Sequence, residues 1–369
     1  MASPNPNQAT LLSAADTPLP SIKMLALATL AFSSFFVSLI VRPLLHASPY
    51  VPFHDPYYHA AHFTIKDSYM GHNFFDGWKW ETLNDPTHGR VNYVDQYTAK
   101  QSNLSYATDS KFVMRADAFD KVDPNARGRD SVRITSYNAY DESVIVLDLQ
   151  HMPEGCSTWP AFWSLSQKGP WPNGGEIDFI EGVNLASRNL ASLHTTPQCT
   201  MPDGRQQSGQ PTSTNCDSNL NYNQGCGVSF AKPASYGSPF NALGGGYYAI
   251  VRTSDAVRIW FWSRNEATIP ADVSNPSQDL LSGQDHIYPD DSWGTPEAVF
   301  PLGEDGMCDY EKHFDPHALV FDLTFCGDWA GTVYSNDCGD NCEAFVNNNP
   351  SAFENAYWEI NSLRIYTPS

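Results

Sequence analysis

Basic residues are scarce in this chain. Its 369 residues carry 21 Lys and Arg against 41 Asp and Glu, a formal net charge of −20. That balance disfavours nucleic acid and anionic membrane surfaces as partners, because both are bound by Lys and Arg that neutralise phosphate. The acids are scattered, which reads as a solvated surface that a neutral polymer can approach. Long amphipathic periodicity and internal repeats are also missing, which argues against helical bundles and solenoids. No Cys-x-x-Cys pair occurs, so the usual spacing of a zinc site is absent. His54, His59 and His62, and likewise His313 and His317, lack a ligand spacing and read as surface histidines.

Aromatics are abundant, at 13%, and the chain holds 24 Gly and 27 Pro. Short strands joined by turns follow from such a composition. Strands are expected over Ser143–Leu149, Tyr247–Arg252, Val257–Trp262 and Ala318–Leu323, and a single helical turn over Ser351–Ala356. The length would suit two average domains, but all-β domains often exceed 200 residues as one unit. The expected architecture is all-β, a two-sheet β-jelly roll with a concave face.

One segment stands out. Gly174-Gly175-Glu176-Ile177-Asp178-Phe179-Ile180-Glu181-Gly182 puts three carboxylates within six residues, among strand formers. Side chains alternate along a strand, so Glu176 and Asp178 share a face while Glu181 would fall on the other. A β-bulge that absorbs one extra residue, at Phe179 or Ile180, restores the phase and sets all three acids on one face, with Ile177 opposite. Regular spacing then separates the glutamate Cα atoms by about 13 Å. Side chains leaning inward by roughly 4 Å each would bring the carboxyls to about 5 Å, the separation used by retaining glycosidases. An acidic strand face is ordinarily a solvated edge. Here the flanking glycines allow close approach, and Trp159, Phe162, Trp163 and Trp171 lie just upstream with faces suited to sugar rings, so a paired-carboxylate site is the stronger reading.

Those residues carry a resemblance. Trp159-Pro-Ala-Phe-Trp163 followed by Trp171-Pro-Asn-Gly-Gly-Glu-Ile-Asp-Phe-Ile-Glu-Gly-Val-Asn184 resembles the signature of glycoside hydrolase family 16, and within it the fungal endo-1,3(4)-β-glucanase, or laminarinase-like, branch. Asp85–Val94, Ser192–Thr196, Phe325–Gly331 and Tyr357–Tyr366 extend the likeness over residues 60 to 369. Unbulged members of the family have one residue fewer between the Asp and the second Glu. The resemblance implies a concanavalin A-like sandwich with a substrate cleft, and a retaining double displacement on β-1,3 or mixed β-1,3/1,4 glucan. Glu176 would be the nucleophile, Glu181 the general acid/base, and Asp178 a hydrogen-bond partner that tunes the nucleophile. No metal or organic cofactor is implied. Asn92, Trp163, Trp171 and His194 match family positions near the substrate. Trp260 joins them as a cleft-facing candidate from its alternation with Ile259 and Phe261, though alternating aromatics are more often core. Three close carboxylates cannot all ionise at ordinary values, so at least one should titrate high. A cell-wall glucan transglycosylase of the same fold is the alternative. A non-catalytic glucan-recognition protein ranks below both, because such relatives usually lack the glutamates.

The organisation expected is a polar tail over 1–23, an apolar segment over 24–41, a linker over 42–60 and the catalytic domain over 61–369. The run from Met24 to Val41 is uncharged between Lys23 and Arg42, at the short end for a spanning helix. It reads as a signal-anchor with the catalytic domain outside the cytosol, and a cleaved signal peptide is the alternative. The last residues read as a strand, with no hydrophobic tail for a lipid anchor. Eight cysteines and the Asn103-Leu104-Ser105 sequon suit a secreted, cell-wall or membrane-anchored monomer. Cys338 and Cys342 flank a short clipped loop. Two long polar stretches, Met201–Gly227 and Ala271–Asp309, read as loops rimming the cleft, the first stapled by disulfides.

Overall fold

Two antiparallel sheets frame the part of the chain that the computed structural model describes, residues 62–275, 285–303 and 307–369. The Met24–Val41 run lies outside them. The first sheet has eight strands in the spatial order Gln210–Pro211, Cys226–Ser229, Leu190–His194, Glu176–Glu181, Thr158–Ser166, His317–Phe325, Arg133–Tyr140 and Trp78–Trp80. The second has nine, built around Tyr357–Pro368, Ser143–His151, Gly246–Arg252 and Ala256–Ser263. This is the expected all-β jelly roll. The longest described helix is Cys342–Asn348, and no described helix is long and apolar enough to cross a membrane.

The two sheets meet across one core. Phe162, Ile177, Phe179, Ile180 and Phe321 from the first sheet join Ile145, Leu147, Ile250, Ile259 and Phe261 from the second. Phe162 stacks on Phe321 at 4.1 Å between ring centroids. Each such ring, once buried, contributes about 2–3 kcal/mol. In the first sheet core positions alternate with outward ones except where a strand is bulged.

The nine-stranded sheet is apolar on both faces, which is why its strands read as continuous hydrophobic runs. Val144, Val146, Ala249, Val251, Trp260 and Trp262 form a second buried layer on its outer side, under Trp293 and Ile287. Trp260 is 3% exposed, sits edge-on to Trp293 and donates its indole N–H to Gly294. Its expected place in the cleft is therefore corrected: it faces away from the first sheet and is sealed. The reading of Ala271–Asp309 as a cleft rim changes with it, because its Asp291–Trp293 turn covers that outer layer.

The surface reading of His313 and His317 is also corrected. Both are 1% exposed. His54 and His59 lie outside the described residues. All eight cysteines are paired, as Cys156–Cys338, Cys199–Cys308, Cys216–Cys226 and Cys326–Cys342. The Cys338–Cys342 loop is thus held by two separate bridges, and Cys199–Cys308 links the flanks of the two long polar stretches.

Candidate active site

The Glu176–Glu181 strand is bulged. Against the Thr158–Ser166 strand, Asp178 pairs with Trp163 and Ile180 with Phe162, so Phe179 is the extra residue. Against Leu190–His194, Asp178 pairs with Ser192 and Glu181 with Leu190. Phe179 and Ile180 both enter the core. Glu176, Asp178 and Glu181 consequently share the outward face, and Ile177 is opposite. Glycine sets the strand's entry. Gly174 and Gly175 take φ of +76° and +80°, and a Cβ on Gly175 would stand 2.6 Å from the Phe314 ring and 2.7 Å from the His313 carbonyl. Only glycine fits that corner. His317 ties it down from below: its Nε2–H donates to the Gly174 carbonyl at 2.6 Å, and its Nδ1 accepts from Ser164 Oγ at 3.0 Å.

Each glutamate receives one indole N–H. Trp171 Nε1 donates to Glu176 at 2.9 Å, and Trp159 Nε1 to Glu181 at 2.8 Å. Burial on this face, with the Asp178 charge next in size, pushes each glutamate carboxyl up to about 8. Asp178, itself 3% exposed, lies 3.3 Å from His194 Nε2. His194 Nδ1 is 2.9 Å from Asn223 Oδ1, so both ring nitrogens face acceptors. Burial opposes charging the ring, but the hydrogen bond and charge of Asp178, with help from both glutamates, raise it to about 10. The face therefore sets a buried, positively charged ring beside Asp178, in addition to the Arg133 guanidinium further along it. One ligand atom from each of Glu176, Asp178 and His194 falls within a 4.8 Å cluster, the one group among the described residues with the geometry to hold a metal ion.

Of the other expected contacts, Trp163 lies on the acids' face, paired with Asp178 and Val320, with the Arg133 guanidinium 4.9 Å over its ring. Trp171 is 44% exposed, and its ring lies 6.5 Å from that of His194. Asn92 is engaged by neighbouring side chains: its amide donates to Asp130 at 2.6 Å and its oxygen accepts from Arg127 at 3.4 Å. The structure adds partners that the sequence reading left out. Trp159, expected only as an aromatic face, is also the N–H donor to Glu181, on the same face as Trp163. Asp322 is a fourth carboxyl there, bonded to Arg133 at 3.3 Å and pushed up to about 7 by burial. Asn223 and Asn189 are the others, and their backbone-dictated roles leave no pattern in the sequence.

A family profile described as the XgeA-like catalytic GH16 domain matches residues 78–366. A probable glycosidase of Schizosaccharomyces pombe is 41% identical over 316 residues, covering 84% of this chain and 71% of that protein. A probable endo-1,3(4)-β-glucanase of Aspergillus fumigatus is 40% identical over 315 residues, 82% of this chain; the chain spans less than half of that protein, 45%. Among solved structures, Laminarinase 16A of Phanerochaete chrysosporium, with 6-O-glucosyl-laminaritriose in donor and acceptor sites, has a TM-score of 0.78 and 46% identity over 83% of this chain and 100% of that one. An elongating GH family 16 β-1,3-glucosyltransferase has a TM-score of 0.72 and 39% identity over the same share of this chain and all of that one.

Proposed function

This chain belongs to glycoside hydrolase family 16, and from that premise we propose that it is an endo-acting β-glucanase cleaving β-1,3 or mixed β-1,3/1,4 glucans with retention at the anomeric carbon. One observation carries the reading: Glu176 and Glu181 stand on one face of a bulged strand, on either side of an Asp178 that is held by charged His194. Glu176 attacks the anomeric carbon while Glu181 gives its proton to the departing glucosyl oxygen. Water, deprotonated by Glu181, then breaks the glycosyl–Glu176 ester. The pair works with a single proton between its two members, and the raised values of both suit that state near neutral pH. Asp178 and His194 set the local field. Trp163 and Trp171 offer aromatic faces to the sugar. The reaction uses no metal or organic cofactor. Glu176→Gln should abolish release of reducing ends from laminarin while the thermal transition stays within a few degrees; unchanged turnover would refute the assignment.

Transfer to a sugar hydroxyl is the second reading, favoured by the likeness to the elongating glucosyltransferase. Sizing the products from a laminari-oligosaccharide of one length separates the two, since only transfer yields longer chains. The four disulfides support a catalytic domain outside the cytosol. Asn103, exposed at its sequon, is available for glycosylation. The protein works there as a monomer, secreted or held by the Met24–Val41 run. Protease protection of membranes from expressing cells tests this: a domain resistant on intact cells argues against it.

A further inference from the structure

The bulge removes two backbone groups from the sheet ladder. With Phe179 unpaired, its carbonyl and the Glu181 N–H no longer meet the neighbouring strand in register. Unpaired buried groups of this kind cost roughly 1–3 kcal/mol each. One side chain satisfies both. Asn189, 0% exposed, donates from Nδ2 to the Phe179 carbonyl at 2.8 Å and accepts at Oδ1 from the Glu181 N–H at 3.0 Å. The carboxamide stands in for a missing ladder rung. It is itself immobilised, because its own N–H donates to Ser235 Oγ at 3.0 Å and its carbonyl accepts from Phe230 N–H at 2.9 Å. On the far side of Glu181, the Tyr236 hydroxyl donates to the Gly182 carbonyl at 2.8 Å.

We propose that Asn189 is a positioning residue for Glu181: by closing the bulge it fixes the backbone from which the acid/base carboxyl projects, and so fixes the line along which the proton is delivered. Glu176, at the unbulged end of the strand, does not depend on it. The proposal rests on Glu181 being the acid/base. The two ends of the site should then separate in kinetics. Proton delivery matters for a sugar leaving group and not for a dinitrophenolate, which departs unprotonated once Glu176 attacks.

The test compares Asn189→Leu and Asn189→Asp with the native enzyme on two substrates, laminarin and 2,4-dinitrophenyl β-laminaribioside, reading for the latter the first-turnover burst of dinitrophenolate. The ratio of the two rates on one preparation cancels the fraction of folded enzyme, so a poorly folding variant remains informative. Removing both bonds in Asn189→Leu should lower the laminarin-to-aryl ratio by about 10- to 100-fold, the scale expected when a proton donor is displaced by a fraction of an ångström to an ångström. Asn189→Asp keeps the acceptor for Glu181 and should lower the ratio by less. Glu181→Gln is the control. If it collapses the ratio and both Asn189 variants leave it within about twofold of native, Asn189 does not position the acid/base. If Glu181→Gln itself leaves the ratio intact, the acid/base assignment falls, and the role of Asn189 with it.

Discussion

His194 Nε2 stands 3.3 Å from a carboxylate oxygen of Asp178, and the charge this places on the ring is felt by both glutamates. Removing it leaves the Asp178 charge uncompensated. In His194→Gln both glutamate carboxyls should rise further, so both limbs of the pH profile of kcat/KM on laminarin should move to higher pH. A shift of about one unit corresponds to roughly 1.4 kcal/mol. Limbs that stay in place would show that the imidazolium does not govern the pair.

The two indole donors should act on opposite limbs. Trp171→Phe removes the N–H that favours ionised Glu176 and should raise the acid limb. Trp159→Phe removes the N–H on Glu181 and should raise the alkaline limb. Hydrogen bonds to charged groups contribute about 1.5–3 kcal/mol when buried. Trp171 is partly exposed, so its effect should be the smaller. Profiles of the two variants that shift identically would contradict the separate roles of the glutamates.

Acid should loosen the corner that precedes the catalytic strand. Burial, with Arg252 adding repulsion, holds His317 well below the ordinary histidine value, and burial pushes His313 down too. In the unfolded chain both would titrate near about 6.5. Their contribution is complete above that pH and is lost as the pH falls below it, by up to about 1.4 kcal/mol per unit for each proton taken up only on unfolding. The melting temperature of the native protein should therefore fall more steeply between pH 6.5 and 4.5 than that of His317→Gln. Parallel curves would rule this out.

The Cys216–Cys226 bridge closes a short loop that carries Asn223, the Nδ1 partner of His194. A closed loop of this length stabilises a fold by roughly 3 kcal/mol in the chain-entropy account. Cys216→Ser/Cys226→Ser should lose stability of that order in denaturant titration. It should also lower kcat at pH values where the native enzyme is at its optimum, because the ring it leaves behind is less firmly held. Lost stability with full kcat would mean that Asn223 stays in place without the bridge.

Much of the site was legible because the constraint is arithmetical. Glu176 and Asp178 are two apart and Glu181 five from the first, so a shared face requires one extra residue, and the structure puts it at Phe179. The long strands were equally readable from their hydrophobic content. Which face of a strand meets which neighbour was not. Trp260 alternates as well as Trp163 does, but the nine-stranded sheet is covered on both sides, and periodicity alone does not distinguish an open face from a sealed one. His313 and His317 lacked any ligand spacing because their partners are a threonine hydroxyl, a serine hydroxyl and a backbone carbonyl. Asn189 serves two main-chain groups whose need for partners exists only once the strand has bulged.

That need has a consequence for how such a strand can change over generations. Substituting Phe179 alters what fills the core, but the chain still counts one residue too many. Deleting it leaves Glu-Ile-Asp-Ile-Glu, a strict alternation that keeps every acid facing outward and every isoleucine facing inward. The bulged and unbulged forms are thus separated by a single in-frame deletion that crosses no inactive facing of the acids, provided that the residue freed at position 189 finds other work or is replaced.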